Sequence, residues 1–134
     1  MANEAIIVEL LGNKGDPIRY TVADAGAIPK GTVMELTTPR TVIVESAVDK
    51  PIVGIAADEK VANDGQTAIA VYSNCIVQLK CATTQCEIGD TVSMAAGDNT
   101  IALGTTLDGE KGWTLGYALE TIAIGNTGMV RVLK

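Results

Sequence analysis

Ile52-Val53-Gly54-Ile55-Ala56-Ala57-Asp58-Glu59 is answered in the second half of the chain by Thr114-Leu115-Gly116-Tyr117-Ala118-Leu119-Glu120-Thr121. Each is a short run of strand-forming and small side chains, interrupted by one glycine and followed by acids. Ile28-Pro29-Lys30-Gly31-Thr32-Val33-Met34 precedes the first, and Glu87-Ile88-Gly89-Asp90-Thr91-Val92-Ser93-Met94 precedes the second. A closing apolar run follows each, Ala68–Tyr72 in one half and Met129–Leu133 in the other. This order reads as an internal pseudo-repeat: two similar β units folded around one core. The glycine in each lets a strand begin sharply or lets two backbones approach closely.

The rest of the chain has the same texture. Turn-forming groups recur at short intervals: Gly15-Asp16-Pro17, Thr38-Pro39, Asp49-Lys50-Pro51, Asn63-Asp64-Gly65, Ser73-Asn74, Gly89-Asp90, Gly97-Asp98-Asn99, Asp108-Gly109 and Gly125-Asn126. These residues tolerate φ > 0 or preset a turn. Between them lie predicted strands at Ala5–Leu11, Ile18–Val22, Thr32–Leu36, Thr41–Glu45, Ile52–Ala56, Ala68–Tyr72, Cys75–Cys81, Thr91–Met94, Leu115–Leu119 and Met129–Leu133. Period-2 alternation supports several. Ile18, Tyr20 and Val22 oppose Arg19 and Thr21, Val77 and Leu79 oppose Gln78 and Lys80, and Val130 and Val132 flank Arg131. Helical composition is confined to Ala56–Ala62, where a short helix or a polar loop fits equally well. The predicted class is all-β, a small β-barrel or sandwich with an internal pseudo-repeat, in one domain spanning 1–134. Residues 1–11 are read either as an N-terminal arm that adds as a strand to a neighbouring subunit or as an ordinary first strand.

Composition excludes several function classes. At 134 residues with 47% apolar and 19% charged side chains, a packed core is available. The apolar mass is Ala, Val, Ile and Leu, with one Trp, three Tyr and no Phe, which suits thin pleated sheets. The formal charge is −6, and the cations are spread singly along the chain, so no nucleic-acid partner is expected. No apolar run nears the roughly 18 residues that span a bilayer, so no membrane partner is expected. The Met-Ala-Asn-Glu start lacks a basic, apolar leader, which predicts a protein that stays in the compartment where it is made.

Catalysis near neutral pH leans on histidine, and the chain has none. Serine triads with a histidine base and histidine-containing metal sites are therefore excluded. Ser46, Ser73 and Ser93 lie in no nucleophile-elbow pattern, and no phosphate-cradling glycine loop is present; Asn13-Lys14-Gly15-Asp16-Pro17 reads as a hairpin turn. Asp58 or Glu59 and Glu120 occupy similar places in the two halves and could converge as a carboxylate pair; the plainer reading leaves them solvated at strand ends. Asp98-Asn99 and Asp108-Gly109-Glu110 lack calcium-loop spacing. A carrier function would fall on Lys80 or Trp113. Cys75, Cys81 and Cys86 read as buried thiols, with a Cys81–Cys86 bridge as the alternative. No catalytic, cofactor-binding or metal-binding residue is assigned, and no cofactor is expected.

The order and spacing of Ala27–Leu36, Gly54–Val61, Cys86–Val92, Leu115–Glu120 and the terminal Val130-Arg131-Val132 resemble bacteriophage capsid decoration (cement) proteins. The likeness covers most of the chain. It implies a compact β-barrel-like fold, commonly trimeric, that attaches to the major capsid protein on the outer face of an assembled tailed-virus shell and stabilises it without catalysis. It places the protein in the virion after synthesis in the host cytoplasm. Another virion β module, from a tail or fibre base, and a carboxylate-dependent hydrolase are the alternatives.

Overall fold

The computed structural model describes residues 3–96 and 98–134. Gly97 of the predicted Gly97-Asp98-Asn99 turn, and Met1 and Ala2 of the N-terminal segment, lie outside the described residues. The strands are β1 (Ile6–Leu10), β2 (Ile18–Thr21), β3 (Val33–Thr38), β4 (Thr41–Val44), β5 (Ile52–Ala56), β6 (Ala68–Tyr72), β7 (Asn74–Cys81), β8 (Thr91–Ala96), β9 (Thr100–Leu103), β10 (Thr114–Ala118) and β11 (Thr127–Leu133). One short helix, α1 (Thr106–Lys111), precedes β10.

Two five-stranded rings result. The first closes in the order β2-β4-β3-β5-β6, and the second in the order β7-β9-β8-β10-β11. Strand for strand, the two orders are the same. In each ring the first strand runs antiparallel to the last, and a short parallel contact shuts the seam: Thr21 against Thr41 in one, Lys80 against Thr100 and Cys81 against Ile101 in the other. Isolated bridges also correspond, Ile28 with Lys60 and Cys86 with Ile122. The pseudo-repeat is thus a duplicated barrel topology.

The two signature glycines have the same job. A Cβ on Gly54 would collide with the carbonyl oxygen of Tyr72, and a Cβ on Gly116 with the carbonyl oxygen of Arg131. Each collision is with the last strand of that residue's own ring, so each ring closes only because the side chain is missing.

The reading of one core needs correction. Met34, Val42, Ala56, Ile69 and Val71 with Val22 and Ile28 fill the first barrel. A larger cluster fills the second barrel and extends to Val33, Ile52 and Ile55 of the first. β3 and β5 therefore bury both faces, one inside their own barrel and one against its neighbour. That is why β5 reads as a nearly continuous apolar run rather than an alternating one. β7, by contrast, alternates as predicted, with Cys75, Val77, Leu79 and Cys81 buried between more accessible neighbours.

Of the two readings of Ala56–Ala62 the structure takes the non-helical one, because Lys60 exchanges backbone hydrogen bonds with Ile28. The helix forms instead at Thr106–Lys111, started by a capping box in which Thr105 and Asp108 satisfy each other's backbone N–H groups. β9 has no signal of its own: Thr100-Ile101-Ala102-Leu103 is too short to show a period, and pairing with β8 and β7 creates it.

Candidate interaction surface

β1 is the strand that does not belong to either ring. It adds to the outer edge of β7, with Ile7 opposite Val77 and Leu10 opposite Cys75, and a bulge at Val8 shifts the register. The segment is tied down at both ends within its own chain. Ala5 N–H donates to the Gly31 carbonyl at 2.8 Å, and Leu11 N–H to the Asn74 carbonyl at 3.1 Å. Ile7 turns inward onto the second barrel's cluster. Ile6, Val8 and Leu10 remain 61%, 49% and 38% exposed, an apolar row on an edge strand whose outer side has no strand partner among the described residues.

The equivalent edge in the first barrel is treated differently. There Pro17 removes a backbone donor just before β2, and the Arg40 guanidinium donates through Nε to the Arg19 carbonyl at 3.2 Å. Proline and a charged cap are standard ways to blunt a strand edge against association. β1 has neither a proline nor a cation, though it carries the exposed Glu9 and the bulge at Val8. Its three exposed aliphatic side chains suit apolar contact with, or strand addition by, another protein. The first barrel's seam opens into an apolar groove of about 210 Å³, lined in part by Val22, Ala27, Val42 and Val44.

Of the acids singled out in the sequence, all but the buried Asp108 lie on the surface. Asp58 and Glu59 follow β5 and are exposed; Glu120 follows β10, is exposed, and accepts a hydrogen bond from Met129 N–H at 3.1 Å. Asp58 and Glu120 hold corresponding places, each on its own barrel. Lys80 is exposed at the end of β7, and Trp113 is half-buried after the helix. Asp98 accepts from the Thr100 hydroxyl at 2.6 Å, and Asp108 serves the helix cap. Among the described residues, no group of three or more His, Cys, Asp or Glu side chains is placed to hold a metal ion. Among them, too, no helix is long and apolar enough to cross a membrane.

Two buried charged side chains escaped the sequence reading. Lys60 is buried with its Nζ donating to the Asp24 carbonyl at 2.6 Å and lying 3.2 Å from Asp64 Oδ1. Glu45 is fully buried where the first barrel meets the β8–β9 turn. Its Oε2 accepts from Asn99 N–H at 3.4 Å, while Oε1 has no hydrogen-bond partner among the described residues. Burial pushes its carboxyl up to about 7, and the nearby Asp98 and Glu35 charges push the same way. Nothing local in the sequence marks either residue, since both follow strand-like runs where an acid or a lysine ordinarily faces water.

A family model described as phage cement protein matches residues 12–133, which takes in both barrels and begins just after β1. No curated protein matches the chain.

Proposed function

The chain belongs to the phage cement protein family, and from that premise we propose that it binds the outer surface of an assembled tailed-phage shell and stabilises it without catalysis. The partner in this reading is the major capsid protein. The observation that carries it is the β1 edge: Ile6, Val8 and Leu10 stand in solvent on a strand that no proline or cation blunts. A formal net charge of −6 keeps free copies apart before assembly. On the shell, many copies joined through modest contacts add to a large total.

In this reading the whole chain, 1–134, acts as one domain. Support comes from Val33, Ile52 and Ile55 of the first barrel, which pack in the same apolar cluster as the second barrel's interior. Self-association as a homotrimer completes the proposal, and residues 1–11 serve as the shell-facing strand. Mixing purified protein with undecorated, tailless shells and imaging them tests the reading directly. Added density on the outer capsid surface, with slower shell rupture on heating, is the expected result. Shells that stay bare at saturating protein would end it.

A further inference from the structure

Cys81 is the last residue of β7. Its N–H donates to the Asn126 carbonyl at 2.9 Å, and its own carbonyl accepts from Gly125 N–H at 2.8 Å. Cys86 exchanges both backbone hydrogen bonds with Ile122, at 3.1 and 2.7 Å. Both cysteines are therefore pinned to the same short stretch, 122–126, and only the segment Ala82–Gln85 bulges between them. The two side chains converge. The Cys81 thiol donates to the Thr84 carbonyl at 2.9 Å and the Cys86 thiol lies 3.7 Å from the same oxygen.

Packing alone does not ask for sulfur here. The corresponding positions of the first barrel, by ladder register and by isolated bridge, are Val22 and Ile28, and that barrel closes on hydrocarbon. Cys75 stands apart near the other end of β7 and pairs with neither.

We propose that Cys81 and Cys86 are a modification site, a dithiol that a small-molecule disulfide converts into an intrachain bridge across Ala82–Gln85. The chemistry is two thiol–disulfide exchanges. One protein thiolate attacks a sulfur of the oxidant, forming a mixed disulfide and expelling one reduced thiolate. The second protein thiolate attacks the protein sulfur of that mixed disulfide and expels the other. Both thiol protons leave to solvent; two protein thiols are oxidised and one disulfide is reduced to two thiols. Burial pushes the Cys86 thiol up to about 12 and so keeps it protonated in the closed state. Exchange therefore proceeds when the segment opens; Thr83, Thr84 and Gln85 are exposed, and opening has to break the Cys81 thiol's hydrogen bond to the Thr84 carbonyl.

The test is incubation of the folded full-length protein with oxidised glutathione, in buffer and in sub-denaturing urea, followed by denaturing alkylation and intact-mass analysis. The expected product has lost two hydrogens, joins Cys81 to Cys86 in peptide maps, and leaves one alkylatable thiol of three, at Cys75. Cys75→Ala should oxidise in the same way. Cys86→Ser should stop at the mixed disulfide. Three free thiols under both conditions, a persistent glutathione adduct on the natural sequence, or a bridge involving Cys75 would each overturn the assignment. Because the Cys75→Ala protein keeps the pair intact, the test survives even if Cys86→Ser does not fold.

Discussion

Lys60 and Ile122 occupy the same place in the two barrels, each bridged to a residue between its barrel's first two strands, Ile28 for one and Cys86 for the other. Ile122 meets the position with hydrocarbon. Lys60 meets it with a buried ammonium held by the Asp24 and Val61 carbonyls and by Asp64 Oδ1. The duplicated topology thus tolerates opposite chemistries at one site, provided the charge brings its own cage of oxygens.

Removing that charge alone should destabilise the protein. Lys60→Met leaves two carboxylates behind, but Asp24 and Asp64 are 43% and 28% exposed, so water can reach them. The expected cost is about 2 kcal/mol, below the value for a fully buried orphan. Adding Asp24→Asn and Asp64→Asn should recover most of it. Urea midpoints measure both; an unchanged midpoint in Lys60→Met would show that the cage contributes nothing.

Glu45 sets a pH dependence with a definite sign. Its carboxyl is raised from 4.5 to about 7 in the folded state, first by burial. A group that holds its proton more tightly when folded contributes its stability fully below about pH 4.5 and loses it as pH rises through about 7. Glu45→Gln, which keeps the shape and removes the titration, should therefore be the more stable protein at about pH 8. The expected gain there is on the order of 2 kcal/mol, and the two proteins should converge at acid pH. Denaturant midpoints across the range decide it, and parallel curves would refute the assignment.

Gly54→Ala and Gly116→Ala should each cost about 3 kcal/mol or more, because the added methyl meets a backbone carbonyl that cannot move without breaking the ring. Gly26→Ala, which opens onto free space, should stay within about 0.5 kcal/mol of the parent. If all three melt alike, close approach is not what these two glycines are for.

Ile6→Lys and Val8→Lys place charges on side chains that already face water. Stability should change by less than about 0.5 kcal/mol. Association with capsid shells should fall sharply, since an ammonium group must be desolvated to enter an apolar contact. Deleting the segment is the poorer test, because Ala5 and Leu11 also anchor it to the chain's own backbone. Full shell binding by the lysine variants would exclude β1 as the contact.

Much of the architecture could be read in advance because strands and turns are local events. β5 and β6 begin and end where their composition says they should, and Gly54 and Gly116 stand out as paired interruptions of paired runs. The contact surface was harder. Ile6-Ile7-Val8 is a continuous apolar run, which a strand buried on both faces and an exposed edge strand share, and only the position of β7 beside it distinguishes them.

The amino-acid order by itself determined the all-β character and the duplication, because φ/ψ preferences and period-2 alternation act over a few residues. Tertiary structure decided that the duplication closes into two barrels through the parallel contacts of β2 with β4 and β7 with β9. It also created β9, buried Lys60 and Glu45, and left one face of β1 in water. Each of these depends on which distant segment supplies a hydrogen bond or removes a water molecule, and no run of neighbouring residues encodes that choice.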